Sequence, residues 1–114
     1  MNPFDLTGTT ALVSGSSRGI GLALARGLLQ AGSRVTIHGR NIDQVKTTAL
    51  DLAEETGGET GVSTFDVTDQ DAVDRGIADI EQEWGTLDIL VNNAGIQRRA
   101  PFTDFTLQDW NDLV

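Results

Sequence analysis

Ser14-Gly-Ser-Ser-Arg-Gly-Ile-Gly21 decides the fold. Before it stands a short apolar run, Thr10-Ala-Leu-Val-Ser14, with the composition of a buried strand. After it, Ile20, Leu24 and Leu28 recur every four residues with Ala23 and Ala31 nearby, so a helix follows and stops at Gly32. A turn of spacing G-x-x-x-G-x-G between a strand and a helix suits a phosphate group, because a helix N-terminus leaves N–H groups unpaired and carries the positive end of the helix dipole. Gly15 permits the tight turn, Gly19 removes a side chain where the backbone must approach phosphates, and Gly21 lets the helix pack closely on the sheet. Gly15, Ser17, Arg18, Gly19, Ile20 and Gly21 are the candidate nucleotide-binding residues of this turn.

The same alternation continues outward from the turn. Arg34-Val-Thr-Ile-His38 reads as a second strand ending at Gly39, with His38 packed in it rather than catalytic. Asn41 caps a helix whose apolar face is Ile42, Val45, Ala49 and Leu52, ended by Gly57-Gly58. Gly61-Val-Ser-Thr-Phe-Asp66 is expected to be a third strand, and Thr68-Asp-Gln-Asp71 a capping box for a helix with Val73, Ile77, Ile80 and Trp84 on its inner face. Leu87-Asp-Ile-Leu-Val91 is a fourth strand, Gly95 to Phe105 a loop, and Thr106-Leu-Gln-Asp109 a second capping box that starts a helix near Leu107. Trp84 and Trp110 are assigned to the core. Strands alternating with helices imply βαβ units, an α/β fold with a doubly wound parallel sheet of the Rossmann type. Right-handed crossovers favour the strand order 3-2-1-4, slightly more than half of a dinucleotide-binding fold.

Composition removes several function classes. The 114-residue chain has no Cys and one His, so thiolate and histidine metal sites and a disulfide framework are excluded. It has no apolar run of the ~18 residues a membrane helix needs and no secretory leader, so a cytoplasmic protein without membrane contact is expected. A formal net charge of −9 disfavours nucleic acid as a partner. The charge is unevenly spread. Residues 1–42 hold Arg18, Arg26, Arg34 and Arg40 against Asp5 alone, whereas residues 43–88 are strongly acidic. Folds that prefer NAD carry an acid about 20 residues beyond the glycine turn, bonded to the ribose 2′-hydroxyl. Here the second strand ends Thr36-Ile-His-Gly-Arg40 without an acid. Arg40 and Arg18 would instead pair with a 2′-phosphate by charge-assisted bonds, which makes NADP the expected cofactor.

Three segments together resemble the short-chain dehydrogenase/reductase family: Ser14-Gly-Ser-Ser-Arg-Gly-Ile-Gly21, Asp66-Val67, and Asn92-Asn-Ala-Gly95. The family usually has Thr where Ser14 stands, a change that keeps the hydroxyl. The resemblance implies that Asp66 and Val67 border the adenine ring, and that Asn93, Ala94 and Gly95 line the adenosine-ribose side and stabilise the central sheet. The run from Asn92 through Ile96-Gln-Arg-Arg99 to Phe105, followed by Trp110-Asn-Asp112, is most similar to the family's sugar-acid dehydrogenases, which interconvert gluconate and 5-ketogluconate. Arg98 and Arg99 are the candidate residues for a substrate carboxylate, since a guanidinium binds one bidentately.

Members of that family use an Asn, a Ser, and a Tyr-x-x-x-Lys unit whose Tyr exchanges the proton. The chain contains no Tyr, and its one Lys, Lys46, lies on the wrong helix, so no catalytic residue is assigned here. The resemblance therefore implies the N-terminal NADP-binding portion of a single-domain enzyme, residues 1–114, ending at the start of the fourth helix. It further implies weak cofactor binding without catalysis for this chain alone, and a homotetramer or homodimer for the complete enzyme. Alternatives are a portion of a 3-oxoacyl-carrier-protein reductase and a non-catalytic nucleotide-binding module. A fourth strand left at the sheet margin is expected to present a bare apolar edge.

Overall fold

The computed structural model describes residues 5–94 and the backbone of 104–105. The elements are β1 (Thr10–Val13), α1 (Gly19–Gln30), β2 (Arg34–His38), α2 (Ile42–Thr56), β3 (Thr60–Ser63), α3 (Gln70–Trp84), β4 (Ile89–Val91) and β5 (Asp104–Phe105). All strand pairings are parallel, in the order β3-β2-β1-β4-β5. This contains the expected order 3-2-1-4 and adds a fifth strand in the segment expected to be loop. Leu90 and Val91 pair with Asp104 and Phe105, so the expected bare edge on β4 is partnered over these two positions. The helix expected near Leu107 and the core position of Trp110 lie outside the described residues.

Side chains alternate across the strands and so divide the core in two. Ala11, Val13, Val35 and Ile37 point to one face, where α1 supplies Leu24, Ala25, Leu28 and Leu29, and α2 supplies Val45, Ala49 and Leu52. On the opposite face Leu12 and Leu90 meet Val73 and Ile80 of α3, with Leu87 beside them. Both faces of a parallel sheet must be covered because its strands are apolar on both sides. Trp84 is half-buried against this second cluster. Arg34 lies over its ring, 5.4 Å from the centroid, and donates to the Trp84 carbonyl at 2.8 Å.

Several local expectations are corrected. Ile20 is 58 % exposed and Ile42 43 % exposed, although the four-residue spacing put both on inner faces. Each lies in the first turn of its helix, beyond the strand ends that could cover it. The third strand ends at Ser63 rather than Asp66, because Ser63 pairs with His38 and β2 ends there. α3 is capped by Asp69, which accepts from the Ala72 N–H at 3.2 Å, and not by Thr68. The Thr68 hydroxyl and N–H are both turned back to Asp66 Oδ1, at 2.7 and 2.9 Å. The fourth strand starts at Ile89 rather than Leu87, since the Leu87 N–H donates to the Glu81 carboxylate and the Asp88 carboxylate accepts from the Thr10 N–H. Asn41 does cap α2, accepting from the Gln44 N–H at 3.1 Å.

Candidate functional site

A cleft of about 700 Å³ opens at the carboxyl ends of β1, β2 and β3, the end of an open parallel sheet where ligands bind. The turn after β1 forms its floor. Gly15 sits at φ +63°, and an added Cβ there would press on Asn93 and Ala94. Gly19 sits at φ +65° with nothing within 4 Å of an added Cβ, so the backbone at the start of α1 faces open space. Arg18 at the N-cap of α1 makes no side-chain cap bond and no acid stands in the first turn, which leaves the positive end of the helix to the cleft. Gly21 has a different role from the one expected of it. Its close neighbour is the Gly15 carbonyl oxygen, which an added Cβ would overlap, so the tight contact is between α1 and the turn rather than between α1 and the sheet.

The turn is tied down from two sides. The Ser14 hydroxyl accepts from the Ala94 N–H at 2.9 Å and donates to the Val91 carbonyl at 3.3 Å, the use to which the hydroxyl at this position is put. Asn93 Nδ2 donates to the Gly15 carbonyl at 3.2 Å. On the β2 side, Ser16 and His38 exchange bonds: the Ser16 N–H donates to the His38 carbonyl at 2.7 Å, and the His38 N–H donates to Ser16 Oγ at 2.8 Å.

Gly15, Ser17, Arg18, Arg40, Asp66, Val67 and Ala94 all line the cleft. Asn93 and Gly21 support its floor from behind, and Ile20 is exposed on the first turn of α1. Gly95, Arg98 and Arg99 lie outside the described residues. The carboxyl of Asp66 is held below the usual carboxylate range, first by the Thr68 hydroxyl, then by the Thr68 N–H, and by the charge of Arg40. It is therefore an ionised acceptor at neutral pH.

The sequence did not point to Phe65, Gln44, Thr64 or Thr68, which also line the cleft. It pointed to His38 only as packing. His38 is indeed buried in β2, yet its ring reaches the cleft and joins two of its walls. The Gly15 N–H donates to Nδ1 at 3.0 Å, and Nε2 stands 2.9 Å from the Phe65 carbonyl. The bond at Nδ1 assigns the ring proton to Nε2, which then donates to Phe65. The Phe65 ring lies tilted against the imidazole, with centroids 4.5 Å apart. Burial pushes the pKa of His38 down, opposed by the Phe65 carbonyl. The unfolded chain thus takes up a proton near pH 6.5 that the folded chain resists, so this contribution to stability is complete above that value and is lost as the pH falls below it.

Residues 9–114 match the profile of the short chain dehydrogenase family. The chain belongs to the short-chain dehydrogenase/reductase family. Among its relatives, gluconate 5-dehydrogenase of Gluconobacter oxydans is 50% identical over 111 residues, which is 97% of this chain and 43% of that enzyme. A gluconate 5-dehydrogenase from Burkholderia cenocepacia, solved in complex with NADP and tartrate, superposes with a TM-score of 0.76 at 44% identity, covering 98% of this chain and 44% of that one. L-Sorbose reductase from Gluconobacter frateurii, solved with NADPH and L-sorbose, superposes with a TM-score of 0.77 at 32% identity, covering 87% of this chain and 38% of that one. The chain therefore spans less than half the length of these relatives. Among its described residues, no helix is long and apolar enough to cross a membrane.

Proposed function

We propose that the cleft binds NADP(H), and that this chain is the cofactor-binding portion of an oxidoreductase that interconverts gluconate and 5-ketogluconate. The observation that carries the cofactor assignment is the pair Arg18 and Arg40 lining one cleft at the uncapped N-terminus of α1. Two guanidinium groups there suit the 2′-phosphate of NADP, and the backbone at Gly19 leaves room for the pyrophosphate. Asp66 is the acceptor for the adenine amino group, with Val67 beside the ring and Ala94 toward the adenosine ribose, where the family resemblance also assigns Asn93 and Gly95. NADP supplies hydride transfer when bound, and the residues named here bind and orient it. The absence of any Tyr supports a further point, that these 114 residues alone do not turn over substrate, and their coverage of less than half of the relatives' length supports weak cofactor binding. The substrate assignment rests on the relatives above and on the sugar-acid-like run through Arg98 and Arg99.

Titration of the 114-residue chain with NADPH and NADH in parallel tests the cofactor assignment. Saturable binding at least about tenfold tighter for NADPH is expected, from one or more charge-assisted phosphate contacts. Equal affinity for the two would refute it. The substrate assignment is tested on the complete enzyme. Arg98→Ala and Arg99→Ala together are expected to raise the KM for gluconate by about tenfold or more, the loss of one bidentate carboxylate contact, with kcat changed less. An unchanged KM would remove both residues from the substrate site.

A further inference from the structure

We propose that His38 is the positioning residue of the nucleotide cleft: as a neutral imidazole it joins the glycine turn to the Phe65–Asp66 wall, and its protonation loosens that joint and weakens cofactor binding. This rests on the cofactor assignment above, and concerns a residue that the assignment does not use.

The geometry carries it. Gly15 N–H to Nδ1 and Nε2 to the Phe65 carbonyl span the cleft floor from the phosphate side to the adenine side through one buried ring. A second proton on the imidazole would convert Nδ1 from acceptor to donor and set it against the Gly15 N–H, leaving two donors face to face. The Ser16–His38 backbone bonds do not depend on protonation, so the turn stays on β2 and only the Gly15 peptide is released. Gly15 lies on the floor of the cleft, and its carbonyl in turn receives Asn93, so the disturbance falls on the surface that the cofactor covers. The charged groups that share the cleft with the ring are Arg18 on the turn, Arg40 beyond β2 and Asp66 beyond β3, while α2 contributes only the uncharged Asn41 and Gln44. Burial already disfavours the charged ring, and an ordered cofactor that closes over it adds to that preference.

His38 is the only histidine, so its imidazole nitrogen resonances are unambiguous. The experiment follows them in the 114-residue chain between pH 5 and 8, with and without NADPH, and measures the NADPH dissociation constant over the same range. Circular dichroism restricts the comparison to pH values at which the chain is folded. His38→Asn is the comparison variant, because a carboxamide oxygen accepts from the Gly15 N–H without titrating in this range. The 2′-phosphate itself gains a proton near pH 6, so the quantity that matters is the weakening in the wild type beyond that in His38→Asn. The expected result is an Nε2–H tautomer at pH 7, an affinity of His38→Asn at pH 8 a few-fold below wild type because it keeps the Gly15 bond and loses the one to Phe65, and a wild-type affinity that falls on acidification by up to about tenfold per pH unit more than that of His38→Asn, the slope of one proton. His38→Leu, which offers no acceptor, is expected to bind more weakly than His38→Asn by about tenfold at every pH. An Nδ1–H tautomer, or parallel pH profiles for wild type and His38→Asn in chains that do bind NADPH, overturns the role of His38 and leaves the cofactor assignment standing. A folded chain that binds no NADPH at any pH overturns both.

Discussion

Arg40→Asp is expected to lower the ratio of NADPH to NADH affinity by about 100-fold, which is about 2.7 kcal/mol. A charge-assisted hydrogen bond contributes about 1.5–3 kcal/mol, so loss of the guanidinium alone accounts for most of this. The new carboxylate acts on both cofactors in opposite directions. It repels a 2′-phosphate, and it restores an acid at the end of β2 where NAD-preferring folds place one for the ribose hydroxyl. The substitution is structurally mild. Arg40 is exposed and follows the last strand residue of β2 by two positions, so neither the sheet nor the helix cap at Asn41 depends on it. Arg18→Ala should weaken NADPH by a smaller factor, about tenfold, since it removes one contact and adds no repulsion. Parallel titrations with the two cofactors measure the ratio directly. A ratio within twofold of wild type after Arg40→Asp would mean that Arg40 does not meet the 2′-phosphate.

The element order and the glycine turn were legible because both are written in local patterns. Four strands and three helices follow from periodicity, and Asn41 and Gly57 mark the ends of α2 by their own chemistry. What was misread depends on partners distant in sequence. Ile20 and Ile42 obey the helical spacing, yet their exposure depends on where the strands end. β3 has three residues of plausible strand beyond Ser63, but strand pairing needs a neighbour, and β2 has already ended at His38. Thr68 and Asp69 are both good caps in isolation, and the choice between them was made by Asp66, which occupies the Thr68 hydroxyl. β5 pairs at only two positions, too short for any periodicity to mark.

The site divides along the same line. Gly15, Arg18 and Arg40, which line the cleft, drew attention because each has a chemical reason to face a phosphate, and Asp66 through the family resemblance. His38 was not, since a histidine in an apolar strand is ordinarily packing. Its bridging role exists only because the Gly15 N–H, 23 residues earlier, and the Phe65 carbonyl, 27 residues later, arrive at its two nitrogens. A polar ring at the last residue of a strand, immediately before the glycine and arginine of the cleft, was the available signal.

Gly21→Ala is expected to destabilise the chain by about 3 kcal/mol and to abolish measurable cofactor binding, although in most helices the same change is favourable by about 1 kcal/mol. The sign reverses because of what occupies the space. A Cβ at Gly21 would overlap the Gly15 carbonyl oxygen and stand 2.9 Å from both the Gly15 carbonyl carbon and Asn93 Nδ2. Asn93 could rotate away at the loss of its bond to Gly15, but the carbonyl is backbone and moves only with the turn. The turn is held by Ser14 to β4 and by Ser16 and His38 to β2, so α1 itself must shift outward, away from the cluster that contains Leu24, Ala25 and Leu28. A cost of this size is a large part of the 5–15 kcal/mol that holds a typical domain together. Gly19→Ala provides the contrast. No atom lies within 4 Å of its added Cβ, so only the positive φ opposes it, at about 1–2 kcal/mol, while the new methyl stands where phosphates must approach. Urea unfolding and NADPH titration of the two variants should therefore separate: Gly19→Ala remains folded with impaired binding, and Gly21→Ala loses both. Wild-type or greater stability of Gly21→Ala would show that α1 and the turn are not in the close contact described.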